Sequence, residues 1–93
     1  MKKITLLKMQ GCPYCAQAIA AIKELKAENP EFADVEVEII DKKTDDRAKN
    51  FAEKYYYVPS MFIDGEKIYE AHPGESYGEC LIGVKKVFRA AIQ

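Results

Sequence analysis

Two cysteines three positions apart, Cys12 and Cys15, enclose Pro13-Tyr14 in a C-x-x-C arrangement. The apolar run Ile4-Thr5-Leu6-Leu7 before them and the helix-forming stretch after Pro13 place Cys12 at a strand-to-helix turn, with Cys15 one helical turn further on. Residues three apart share a helix face, so the two sulfurs can approach disulfide distance. At a helix N-terminus Cys12 meets unpaired N–H groups and the positive end of the dipole, both of which favour a thiolate. Cys15 lies further inside and is expected to keep its proton until needed. Such asymmetry suits a two-step exchange in which Cys12 attacks a disulfide and Cys15 resolves the mixed intermediate.

The same spacing has other uses. Half of a zinc site reads this way, but it needs two more ligands, and neither Cys80, His72 nor the acidic residues show ligand-pair spacing. Haem attachment requires a histidine after the second cysteine, where Ala16 stands. Purely structural cysteines belong in apolar surroundings, not around Pro-Tyr at a helix start. Redox exchange is the reading the local context favours. Cys80, near the start of a last helix, reads as a small packed hydrophobe. His72 reads as a solvated loop residue without a metal partner.

The elements that position the pair follow from periodicity. Ile4 to Met9 suits a buried strand. Pro13 to about Glu28 is a helix with Pro13 in the first position and Ala18, Ile22 and Leu25 as its apolar stripe, widened by Ile19; Asn29-Pro30 ends it. Val35-Glu36-Val37-Glu38-Ile39 alternates as a half-exposed edge strand does, with Glu36 and Glu38 toward solvent. Thr44, Asp45 and Asp46 are N-cap candidates for a second helix carrying Ala48, Phe51, Ala52 and Tyr55 on one face. Ser60 to Ile63 and Lys67 to Glu70 form a hairpin around Asp64-Gly65. Ser76 and Glu79 fit a capping box for a last helix with Leu81, Val84, Phe88 and Ala91 inward, Cys80, Val87 and Ile92 alongside, and Gly78 and Gly83 weakening it. The order is βαβαββα. Its first crossover is parallel and its hairpin antiparallel, which gives a mixed four-stranded α/β sheet flanked by three helices.

Ninety-three residues, 48% hydrophobic and 31% charged, predict one globular domain over 1–93. Such a chain buries roughly two-thirds of its unfolded surface and needs no disulfide staples. Fourteen basic and fifteen acidic residues are interleaved to a net −1, which argues against a nucleic-acid face or a polybasic membrane patch. The longest apolar run, Ala18 to Ile22, is far short of a membrane span. Lys8 cuts off the first apolar stretch too early for a signal peptide. A cytoplasmic monomer is expected.

Cys12-Pro13-Tyr14-Cys15 after the first strand, with Val58-Pro59 opening the third, resembles the glutaredoxin branch of the thioredoxin superfamily over almost the whole chain. The resemblance implies the thioredoxin fold, with strand order 2-1-3-4 and strand 3 antiparallel to strand 1. It also implies that Pro59 is a cis-proline facing the thiols, that the backbone of Val58 pairs with substrate, and that Tyr14 lines the thiol cleft. The implied activity is thiol–disulfide exchange on protein or glutathione mixed disulfides. No cofactor is bound, and glutathione serves as co-substrate.

Some family features are replaced here. Met9 stands where glutaredoxins usually carry a base, and Lys8, one residue earlier, is expected on the opposite strand face. Ala71-His72-Pro73-Gly74-Glu75-Ser76 replaces a Gly-Gly turn. Ser76 and the N–H groups after it, from Tyr77 on, are candidates to hold the γ-glutamyl carboxylate, with Glu75 and Glu79 as exposed opposing charges. A thioredoxin-type protein reductase fed by a flavoprotein reductase is the alternative. It lacks support from a Trp-Cys-Gly-Pro-Cys motif but would gain an aromatic lip from Tyr55-Tyr56-Tyr57. A non-enzymatic metal or iron–sulfur carrier, with Cys12 as one ligand, is the alternative of another class.

Overall fold

The computed structural model describes residues 1–93. Strand β1 (Ile4–Lys8) leads through Gly11, at φ 77°, into helix α1 (Pro13–Glu28). A short 3₁₀ turn, Pro30–Phe32, precedes β2 (Val37–Asp41), and a second 3₁₀ segment, Asp46–Phe51, follows it. Strands β3 (Ser60–Ile63) and β4 (Glu66–Glu70) form a hairpin, and α2 (Tyr77–Ile92) closes the chain. The hairpin turn places Asp64 at φ 51° and Gly65 at φ 82°, the left-handed pair that a two-residue turn requires.

The sheet order is β2-β1-β3-β4, with β1 parallel to β2, antiparallel to β3, and β3 antiparallel to β4. This is the 2-1-3-4 mixed sheet of a thioredoxin-like fold. Its centre is β1, whose Ile4, Leu6 and Leu7 are wholly buried because both sheet faces are covered. Ile4 and Leu6 face α1 and α2, whose Ala18, Ala21, Ile22, Leu25, Val84, Val87 and Phe88 form the main core with them. Leu7 faces the other way, into a smaller cluster with Ile40, Ala48 and Phe62.

Three sequence expectations change. The second helix shrinks to the 3₁₀ segment Asp46–Phe51, capped by Asp45, whose Oδ1 accepts from Arg47 N at 2.9 Å. Ala48 and Phe51 are three apart, so the three-residue period of this helix puts both on the sheet. Ala52, at ψ 140°, already leaves the helical region, and Glu53 follows it at φ 71°, so the turn ends before Tyr55. Tyr55 still reaches Phe62, at 6.4 Å between ring centroids, beside Phe51 at 4.8 Å.

The second strand begins two residues later than its alternation suggests. Val35 is buried ahead of it, and the strand runs on to Asp41 because Ile40 pairs with Leu7 and fills the smaller core. Ile39, at the sheet edge, is 45% exposed. In α2 the buried stripe is Cys80, Val84, Val87, Phe88 and Ala91; Leu81 is half-buried and Ile92 exposed, so the stripe is rotated from the predicted one. Gly83 is there for contact and not merely a weak point: a Cβ on it would lie 2.4 Å from Tyr69 Cδ1. Its absence lets the ring of β4 lie directly on the helix.

Candidate active site

The site begins where β1 ends. Cys12 is the N-cap of α1, with φ −95° and ψ 112°, and its Sγ accepts from the Cys15 backbone N–H at 3.1 Å. The sulfur thereby occupies the place that an oxygen holds in an ordinary helix cap. The same Sγ lies 3.7 Å from the Val58 carbonyl oxygen, to which the thiol donates. The Val58–Pro59 peptide bond is cis. Pro13 holds the first helical position without wasting a donor.

The two thiols differ in burial. Cys12 is half-buried, whereas Cys15 is 2% exposed. Burial, and then the hydrogen bond with Cys12, push the Cys15 thiol up to about 12. All three cysteines are free thiols. Cys12 and Cys15 open onto a groove of about 350 Å³ whose walls include Met9, Pro13, Ala16 and Ile19. Lys8 also borders this groove, contrary to the expected opposite face: it shares the strand parity of Ile4 and Leu6, which face α1, and Met9, beyond the end of the strand, lines the groove as well. Its Nζ is 3.7 Å from Asp41 Oδ2.

A second cavity, about 210 Å³, lies between Tyr14, Tyr57, Val58, Ala71, His72 and Pro73. The sequence candidates Tyr14 and Val58 meet here, and Pro59, next in the chain, is buried. Tyr14 accepts from Gly74 N–H through its hydroxyl at 2.7 Å, tying the thiol helix to the loop after β4. Of the three consecutive tyrosines, Tyr55 packs on Phe62, Tyr56 is 89% exposed, and Tyr57 walls this cavity. Glu70 Oε2 accepts from the N–H groups of both Tyr56 and Tyr57 at 2.6 Å, fixing that wall.

Ser76 and Tyr77 are placed differently from one another. Ser76 caps α2: its Oγ accepts from Glu79 N–H at 3.1 Å, and Glu79 Oε1 accepts from Ser76 N–H at 3.0 Å. The capping box of the sequence is thus complete, and it fills with the chain's own carboxylate part of the anion site expected there. The Tyr77 side chain turns to α1, donating to Glu24 at 2.9 Å.

Two residues of consequence escaped sequence reasoning. Glu75, expected as an exposed charge, is 7% exposed, because the Tyr69 hydroxyl reaches its carboxylate. The same hydroxyl lies 3.3 Å from Cys80 Sγ. Cys80 is wholly buried, which pushes its thiol up, and its placement matches a packed residue. Nothing in the spacing of Tyr69, Glu75 and Cys80 announces this contact, which needs the close approach at Gly83. His72 is half-exposed as predicted but not unpartnered: its Nε2 is 3.3 Å from Glu79 Oε2 and 3.8 Å from Glu75 Oε1. No three His, Cys, Asp or Glu side chains gather as a metal site. No helix is long and apolar enough to cross a membrane.

A thiol pair at the N-terminus of the first helix, set against a cis-proline loop on a 2-1-3-4 sheet, defines a thioredoxin-like α/β protein. The family model for the glutaredoxin-like domain (DUF836) matches residues 3–82, and the chain belongs to that family. Searches of curated proteins and of solved structures returned no match.

Proposed function

We propose that this protein is a thiol–disulfide oxidoreductase working by dithiol exchange, with Cys12 as nucleophile and Cys15 as resolving thiol. The observation that carries the reading is the Cys12 sulfur itself, held 3.1 Å from a helix-terminal N–H and 3.7 Å from the Val58 carbonyl. The N–H aimed at the sulfur orients Cys12 for the first attack, and by the family resemblance an incoming chain pairs with the Val58 backbone. The Cys12 thiolate attacks one sulfur of the substrate disulfide, and the other leaves as a thiolate that takes up a proton. Cys15 then gives up its proton and attacks Cys12 Sγ. A Cys12–Cys15 disulfide forms, and the second substrate thiol departs. Two electrons pass to the substrate, and glutathione or a flavoprotein reductase returns them.

The burial of Cys15 supports this division of labour. A thiol held protonated, chiefly by burial, does not compete for the first attack. A soluble cytoplasmic monomer acting on protein disulfides is the setting proposed.

The oxidised protein should be re-reduced with NADPH, either through glutathione and glutathione reductase or through thioredoxin reductase, and NADPH consumption followed. Turnover with glutathione makes it a glutaredoxin in action; turnover only with thioredoxin reductase makes it a thioredoxin in action. Cys12→Ser should fall to the uncatalysed exchange rate in either system. Cys15→Ser should still take the first step and accumulate a mixed disulfide, visible as added mass. A Cys12→Ser protein as active as wild type would end the scheme.

A further inference from the structure

Beyond the exchange chemistry and independently of it, we infer that the solvent face of α2 is a docking surface for an acidic segment of a partner protein. Ile82, Lys85, Lys86, Arg89, Ala90 and Gln93 recur at three- and four-residue steps and so form one stripe of the helix. They line an open groove of about 490 Å³ to which no other element contributes. The last turn of α2 lies by the start of β1, where Lys2 N–H donates to the Ala91 carbonyl at 2.8 Å. Cys12 follows the other end of that strand, so the stripe is remote from the thiols.

Charge is the first argument. Elsewhere the two signs meet: Lys3 and Arg47 reach Glu38, Lys8 reaches Asp41, and Lys67 reaches Glu70. From Cys80 to Gln93 the interleaving breaks down, with three cations and no aspartate or glutamate. No carboxylate from any element comes within ion-pair distance of Lys85, Lys86 or Arg89. The helix dipole accounts for Arg89 in the last turn, but its effect does not extend to the lysines before it. Three cations left unpaired on one face complement a partner that brings carboxylates.

The apolar member of the stripe is the second argument. Ile82 is 73% exposed, although a β-branched residue is a poorer helix former than Leu or Lys and gains nothing from water. Set among cations, it offers contact to one apolar side chain of a partner. From Ile82 to Gln93 the helix rise gives about 17 Å, the span of about five extended residues. Nucleic-acid surfaces neutralise about six to ten phosphates, more than three cations supply, and no aromatic ring stands on the stripe to stack a base. One exposed isoleucine is too small an apolar face to lie in a membrane surface. A short protein segment with carboxylates on either side of an apolar residue fits.

The test is an NMR titration of the full chain, labelled with ¹⁵N, using the acetylated and amidated peptide Glu-Asp-Leu-Glu-Asp. Its amides from Ile82 to Gln93 should shift, and those of Cys12 and Cys15 should not. The neutral peptide Gln-Asn-Leu-Gln-Asn should bind at least about tenfold more weakly, and added salt should weaken the acidic peptide. Lys85→Glu with Lys86→Glu should cost about tenfold or more, and Ile82→Ser about threefold. These exposed or half-buried positions leave the core untouched, so both variants should keep wild-type exchange with 2-hydroxyethyl disulfide. No shift on the stripe up to about 1 mM peptide, equal binding of the neutral peptide, or binding unchanged by the lysine reversals would each overturn the inference. So would tighter binding to a DNA duplex or to phosphatidylserine vesicles, or stripe shifts that follow protein concentration alone, which would make the occupant a second copy. None of these outcomes bears on Cys12, whose role is read from exchange rates.

Discussion

His72 is the only histidine in the chain, and it stands between two carboxylates on the loop beside the cleft. Its pKa is raised, first by the Pro73 carbonyl and then by Glu79 and Glu75. A raised histidine contributes stability that is present in full below its unfolded value, near 6.5, and is lost as pH rises through the higher folded value. Proton NMR should therefore show a single imidazole titration with its midpoint above 6.5. Glu79→Gln keeps a capping-box side chain but removes a charge, so it should lower that midpoint without abolishing the shift, the Pro73 contribution remaining. A midpoint below 6.5 would contradict the arrangement. Cys12 and Cys15 were legible from spacing alone, because a helix terminus and a three-residue step are local facts. Glu75 was not, because its burial depends on a tyrosine from another element.

Long or strongly marked elements read well from sequence, and short ones did not. Pro13 and Asn29-Pro30 bracket α1, Ser76 and Glu79 open α2, and Asp64-Gly65 turns the hairpin, each through a backbone preference of a residue type. The predicted second helix failed because only Ala48 and Phe51 of its four apolar residues share a three-residue period, and the backbone leaves the helical region at Ala52. The Gly83 contact is equally invisible to propensity, which counts that glycine only as a cost. Gly83→Ala should gain up to about 1 kcal/mol of helix propensity yet destabilise by about 1–3 kcal/mol overall from overpacking against the Tyr69 ring. Urea denaturation would decide, and a stabilised variant would mean that ring and helix move apart freely.

As a whole, the molecule is built unevenly around its sheet. Two long helices cover one face, while the other depends on Leu7, Ile40, Ala48 and Phe62 under a six-residue 3₁₀ segment. The order of strands places β1 between two neighbours and buries it on both faces. Local opening is easiest where few apolar contacts hold the backbone. Hydrogen exchange followed by mass spectrometry should find the amides of β1 slowest and those of Asp46–Phe51 among the fastest outside the termini. Equal protection of both would show the thin face to be as firmly held as the thick one.

Tyr69, Glu75, Cys80 and Gly83 are bound to one another in a way that bears on descent. A lineage that acquires any larger residue at 83 displaces the ring at 69. Losing that hydroxyl strands the carboxylate at 75 in the interior without its donor and removes the neighbour of the thiol at 80. Single changes here are costly in every direction, so relatives of this chain should carry the four as an inherited set or replace them together.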